Sequence, residues 1–215
     1  MYVVSKVQPR AVAPAFAVMR YKRVLDIALI LLALPVLLPI VLVLAVLVRA
    51  SSRGPVLFVQ TRVGRAGRRF GMVKFRSMYP EAEAQRPALL AQSDRGGLCF
   101  KQRQDPRVTP FGRFLRRSSL DELPQLWNVL IGDMSLVGPR PALPEEVALY
   151  SPEALQRLQG LPGLTGLWQV SGRADLGFDE MLALDLAYLQ SASLSADLAI
   201  LMRTFGAVMG ARGAY

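Results

Sequence analysis

From Ile27 to Val48 the chain runs through 22 consecutive residues without a polar side chain. At about 1.5 Å per residue, a straight helix of that length covers roughly 33 Å, enough to span a bilayer core. Pro35 and Pro39 fall in the middle of the run. Each removes a backbone hydrogen bond and clashes with the preceding turn, so a kink is expected there. Basic residues guard both ends: Arg20, Lys22 and Arg23 precede the run, and Arg49, Arg53, Arg62, Arg65, Arg68 and Arg69 follow it. Positive flanks belong on the cytoplasmic side of a membrane, and here both flanks qualify. A single span satisfies the length. A helix that enters, bends at the prolines and returns to the same face satisfies the length, the prolines and the charges.

The pattern elsewhere predicts a mainly α chain with a small β-hairpin, an α+β fold. Residues 1–19 read as a leader, with Pro9 and Pro14 opposing a long helix. Residues 20–50 form the membrane helix and 51–215 a single further domain. Val56–Gln60 and Phe70–Arg76 read as short strands joined through Gly64 and Gly67. The stretch 80–110 carries Pro80, Pro87, Gly96, Gly97, Pro106 and Pro110 and reads as a long functional loop. Helical patterns follow around Arg113–Ile131, Glu145–Gln159, Asp179–Gln190 and Leu194–Met209. The last is apolar almost all round apart from Asp197 and Arg203, as a core helix or one lying in a membrane interface would be.

Charge sharpens this picture. Residues 1–80 hold 13 of the 26 basic residues and a single acid, Asp26. The excess sits around the apolar run, where an anionic cytoplasmic leaflet would attract it. A nucleic-acid reader also has a high pI, but nucleic acid gives no reason for the charge to flank a greasy segment, so no nucleic-acid partner is expected. The 215 residues include no histidine, which removes Ser-His-Asp and Cys-His catalysis and His-based zinc sites. Cys99 is alone and reads as a buried thiol. Chemistry must rest on carboxylates, Arg, Lys and a metal held by oxygen.

Three constellations carry such groups. In Arg116-Arg117-Ser118-Ser119-Leu120-Asp121-Glu122, two adjacent carboxylates follow two arginines, a set able to hold Mg²⁺ and a phosphate together. Ser119-x-x-Glu122 is equally a helix capping box, and acids are favoured in a first helical turn. In Gly132 to Pro141, prolines on both sides of Arg140 present its guanidinium from a stiff segment, or simply shape a surface turn. In Gly163 to Arg173, Thr165, Gln169 and Arg173 suit a phosphate or sugar contact, and a plain turn explains them nearly as well.

Arg116 to Asn128, Gly132 to Pro141, Gly163 to Arg173 and Lys74-Phe75-Arg76-Ser77-Met78 together resemble the bacterial sugar transferase family, in order and spacing, over about Arg20 to Met209. The members it resembles are monotopic polyprenol-phosphate phosphoglycosyl transferases. The resemblance implies a proline-broken re-entrant helix, with Pro39 at the break, and a cytoplasmic catalytic domain with interfacial helices. Family members often carry a serine before this proline. Here it is Leu38, and Pro35 is an extra proline. The compact form is expected, in the bacterial inner membrane with its active site on the cytoplasmic face. The implied reaction moves a sugar 1-phosphate from a UDP-sugar to polyprenyl phosphate, in contact with membrane lipid. Asp121 would be the nucleophile and Glu122 a metal ligand or proton acceptor, both beside Mg²⁺. Arg116 and Lys74 would neutralise phosphate charge, and Arg140 would steady phosphate oxygens. A homodimer is left open.

Overall fold

The computed structural model describes residues 16–82, 84, 105–172 and 176–209; Cys99 and Arg173 lie outside them. A 36-residue helix, α1 (Phe16–Ser51), carries Pro35 and Pro39 inside it. Among the described residues it is the one helix long and apolar enough to cross a membrane. Proline rings at 35 and 39 take away the donors that the carbonyls of Leu31 and Pro35 would otherwise meet. Around them Leu32, Val36, Leu42 and Val43 are exposed. The two ends are not. Ile30 packs with Phe70, Met72, Val129 and Leu136, while Leu44 and Val48 pack with Phe75 and Leu115.

Polar ties fix both ends. Arg23 donates to the carbonyls of Val129 and Leu130. Lys22 pairs with Asp197 at 2.6 Å and donates to the Tyr188 hydroxyl at 3.0 Å. Asp26 accepts from the Leu136 amide at 3.1 Å. Beyond the far end, Arg76 donates to the carbonyls of Arg53 and Ser52 at 2.7 and 2.8 Å.

The expected hairpin forms between β1 (Leu57–Val63) and β2 (Arg69–Phe75), antiparallel, with Leu57 opposite Phe75 and Val63 opposite Arg69. Its first strand runs three residues past the predicted Gln60, and the turn places Ala66 and Gly67 at positive φ. The outer edge of β2 has no third strand among the described residues. Asn128 takes its place: its carboxamide accepts from the Val73 amide at 3.0 Å and donates to the Gly71 carbonyl at 2.8 Å.

The continuous helix expected over Arg113–Ile131 is broken. It starts earlier, as α2 (Pro110–Arg117), because Thr109 caps Gly112 at 2.8 Å and Pro110 suits a first turn. Ser119 then adopts φ +56, a 3-10 turn covers Leu120–Gln125, and α3 (Leu126–Ile131) follows. Pro124 cannot donate, so an α-helix cannot run through it undisturbed. The helix expected over Glu145–Gln159 divides for the same reason. α4 (Pro144–Val147) ends, Ser151 caps α5 (Pro152–Leu155) afresh, and a 3-10 turn spans Gln156–Gln159. Between these pieces lies a parallel pair that the pattern does not predict, β3 (Ser135–Val137) with β4 (Gly163–Thr165). α6 (Phe178–Ser191) and α7 (Leu194–Met209) match expectation. α7 turns out to face both ways: Asp197 and Ile200 are buried, while Leu198, Met202 and Phe205 are exposed.

Asn128 is 1% exposed, so its loss strands Val73 N–H and Gly71 C=O inside the protein. Asn128→Leu should cost roughly 2–6 kcal/mol, at about 1–3 kcal/mol for each of the two stranded groups. Thermal unfolding in detergent should show a lower Tm, and an unchanged Tm would contradict the strand-surrogate role.

Candidate active site

The 3-10 turn lies against β2, and this brings two distant sequence blocks together. Lys74, near the end of β2, meets Glu122 at 2.8 Å. Two residues past the strand, the Ser77 hydroxyl accepts from Arg116 Nε at 2.9 Å. The capping box does not form: Ser119 makes no side-chain cap bond and Glu122 turns to Lys74 instead. Glu122 therefore does not act as half of a capping box, and its carboxylate is engaged by Lys74.

Asp121 is buried, and among the described residues it forms no salt bridge. Burial raises its pKa to about 6 and Glu122 adds to the rise, against the pull of Lys74 and Arg116. Burial also pushes Glu122 up, but Lys74 outweighs it and holds Glu122 below the usual range. Adjacent carboxylates are thus driven apart, the usual mark of groups with different duties. Arg116 feels burial most, which lowers its pKa, with Asp121 and Asp105 opposing. Asp105 itself is held by Arg107, through contacts of 2.7 and 2.9 Å.

A shallow cleft opens beside the turn, lined among others by Lys74, Glu122, Gln125, Arg140, Pro141 and Gln169. Arg140 is exposed, with its guanidinium carbon 6.0 Å from the centre of the Trp168 ring. Its backbone is gripped from two sides. Arg157 donates to the Arg140 carbonyl at 3.3 Å, and Arg62 donates to that of Pro141 at 3.0 Å. Arg157 is in turn paired with the buried Asp185, whose pKa burial raises to about 6. Burial first, then Arg140, lowers Arg62 to about 10.

Of the residues expected at a site, Asp121, Glu122, Arg116 and Lys74 gather at the turn, with Arg140 and Gln169 at the cleft. Thr165 goes elsewhere: it is buried, its hydroxyl 2.8 Å from that of Thr204 on α7. Arg173 lies outside the described residues. Sequence reasoning missed Arg62, Asn128, Arg157 and Asp185 as site supports. Asp185 carried a signal, since it is an acid among the buried Met181, Leu182, Leu186 and Leu189 of α6. A charge on such a face calls for a buried partner.

Among the described residues no cluster of three or more His, Cys, Asp or Glu could cage a metal. Mg²⁺ asks for less, one or two carboxylates completed by substrate phosphate and water. Asp121 and Glu122 supply that number, and Asp121 is a buried carboxylate with no salt bridge among the described residues. The donor set fits a magnesium ion shared with a substrate phosphate and does not fit an all-protein cage.

Comparison with known proteins covers most of the chain. The chain is 43% identical over 194 residues to a protein named galactosyl transferase CpsE from Streptococcus agalactiae, covering 90% of this chain and 43% of that protein. It is 41% identical to the exopolysaccharide production protein ExoY of Sinorhizobium fredii, covering 90% and 88%. The UDP-glucose:undecaprenyl-phosphate glucose-1-phosphate transferase of Caulobacter vibrioides is 41% identical, with 97% and 77% covered. The chain thus spans about two-fifths of the streptococcal relative and most of the other two. The family model described as bacterial sugar transferase matches residues 17–211, and the chain belongs to that family.

Proposed function

We propose that the chain transfers a sugar 1-phosphate from a UDP-sugar to undecaprenyl phosphate, through a phosphosugar carried on Asp121. The products are polyprenyl-diphosphate sugar and UMP, as in the first membrane step of exopolysaccharide, O-antigen or glycoprotein glycan assembly. The observation that carries this reading is Asp121 itself: a buried carboxylate without a salt bridge among the described residues, beside Arg116 and the Lys74–Glu122 pair. The substrates in the name of the Caulobacter relative support the choice of donor and acceptor.

A carboxylate attacks a phosphoryl group only when the negative charge of the latter is offset. Lys74, Arg116 and Arg140 supply that offset from the protein. In the first step an Asp121 oxygen bonds to the sugar-bearing β-phosphorus, and the bond from that phosphorus to the bridging oxygen breaks, releasing UMP. In the second step an oxygen of the lipid phosphate bonds to the same phosphorus, and the bond to Asp121 breaks. Glu122, the second carboxylate of the pair, is the nearby acceptor if the lipid phosphate arrives protonated, and it would give up its pairing with Lys74 on taking that proton. Mg²⁺, held by Asp121 and Glu122 when bound, would neutralise further phosphate charge.

The lipid phosphate lies at headgroup depth, so the site must lie there too. We read α1 as a re-entrant anchor of a monotopic protein, bent at Pro35 and Pro39, in the inner membrane with the site on the cytoplasmic face. Both ends of α1 pack on one body around a bare apolar centre, which supports this. α2, α3 and α7 flank α1 and leave Phe114, Trp127, Ile131, Met202 and Phe205 exposed, an apolar fringe suited to an interface.

Purified protein with Mg²⁺ and undecaprenyl phosphate should release UMP from a UDP-sugar, and Asp121→Asn should release none. Release from no UDP-sugar would overturn the reading. The attacking form is the carboxylate, so activity should fall tenfold per pH unit below about 6, where an unperturbed aspartate would hold it to about 4. Arg116→Met should slow turnover roughly 30- to 1000-fold, as for other lost charge-assisted contacts to a transition state. For the anchor, single cysteines at Ser5 and Ser52 in a Cys99→Ala background should be labelled from the same side of oriented vesicles. Labelling from opposite sides would establish a span.

A further inference from the structure

Gln125 closes the 3-10 turn that begins at Leu120 and carries Asp121 and Glu122. In a 3-10 helix, side chains three residues apart eclipse one another. Gln125 therefore stands over Glu122, and both line the cleft with Lys74 and Arg140. Gln125 is 2% exposed, and its carboxamide nitrogen is sealed from solvent without a hydrogen-bond partner. Folding carries the desolvation penalty of such a donor in full. The neighbouring acceptor on that face, Glu122, is engaged by Lys74 and does not relieve it. An unpaired donor on a residue that lines a cleft is explained when a group seated in the cleft accepts from it.

We infer that Gln125 is a substrate-binding residue, donating its carboxamide N–H to an oxygen of the sugar 1-phosphate half of the bound nucleotide sugar. This rests on the function proposed above. The assignment to that half follows from position. Asp121 attacks the sugar-bearing phosphorus, and Gln125 shares one face of the turn with Glu122, one residue away from it. A neutral amide adds no charge to a site already holding Lys74, Arg116 and Arg140. It contributes direction instead, and a pocket built to donate to one oxygen rejects a ligand that lacks it.

Gln125→Met keeps the length and removes the donor; Gln125→Glu keeps the shape and replaces donor with charge. UMP release from UDP-galactose and UDP-glucose, with undecaprenyl phosphate varied separately, gives the kinetic readout. Thermal unfolding without substrate gives the structural one. Gln125→Met should lose about 10- to 100-fold in kcat/KM for the UDP-sugar, leave kcat/KM for the lipid phosphate unchanged, and unfold no earlier than the unaltered protein, because an unpaired buried donor has been removed. Gln125→Glu should lose at least as much. A ratio between the two sugars that moves toward one places the acceptor on a sugar hydroxyl, and an equal loss for both places it on a phosphate oxygen. A lower Tm with unchanged kcat/KM for the UDP-sugar would make the amide structural and overturn the inference. An unaltered protein that releases UMP from neither sugar removes this inference and the proposed function together. Activity in the unaltered protein that survives intact in Gln125→Met removes this inference alone.

Discussion

The ion pair between Lys74 and Glu122 is the joint on which the site depends. It binds the end of a hairpin strand to a 3-10 turn 48 residues further along the chain. Its value is not stability, because Glu122 keeps a third of its side-chain surface exposed and such pairs contribute only about 0–1 kcal/mol. Its value is the division of charge. Lys74 holds Glu122 ionised, while Asp121, buried one position away, has no salt bridge among the described residues. Two neighbouring acids thereby acquire separate characters. The joint needs β2 to be held in place, and Asn128 holds it by completing the edge hydrogen bonds.

The same body holds the apolar helix. Lys22, Arg23 and Asp26 tie its leading end to α3, β3, α6 and α7, and Arg76 ties the chain just beyond its far end. Arg76 lies two residues from Lys74, so the fastening of the anchor and the assembly of the site share one short stretch of chain. With the middle of α1 bare and its ends fastened, the apolar helix and the buried carboxylate of Asp121 are held in one frame. Such a frame would suit the reaction proposed above, in which a water-soluble donor meets a lipid-borne phosphate.

Much of this was legible in the sequence, and the exceptions have physical causes. The 22-residue apolar run, the hairpin, α6 and α7 follow from periodicity alone. The acids at 121 and 122, Lys74, Arg116 and Arg140 declared themselves through charge in motif context. The break at Ser119 did not, because a left-handed serine is imposed by packing around the turn and not by its own preference. β3 and β4 are three residues each, too short for any period to show. Thr165 read as a substrate contact, yet its hydroxyl meets Thr204 on α7, a tertiary partner 39 residues away. Arg62 read as one more flanking cation, whereas it is buried and braces the Pro-Arg-Pro segment with Arg157.

The central claim is that Asp121 carries the phosphosugar between two half-reactions. Intact-mass measurement of the purified chain, incubated with Mg²⁺ and a UDP-sugar but no lipid phosphate, tests it most directly. The account predicts a gain of one sugar phosphate, located to Asp121, absent from Asp121→Asn and discharged when polyprenyl phosphate is added. An enzyme that turns over with both substrates yet never gains that mass, under conditions where an acyl phosphate survives, would contradict it.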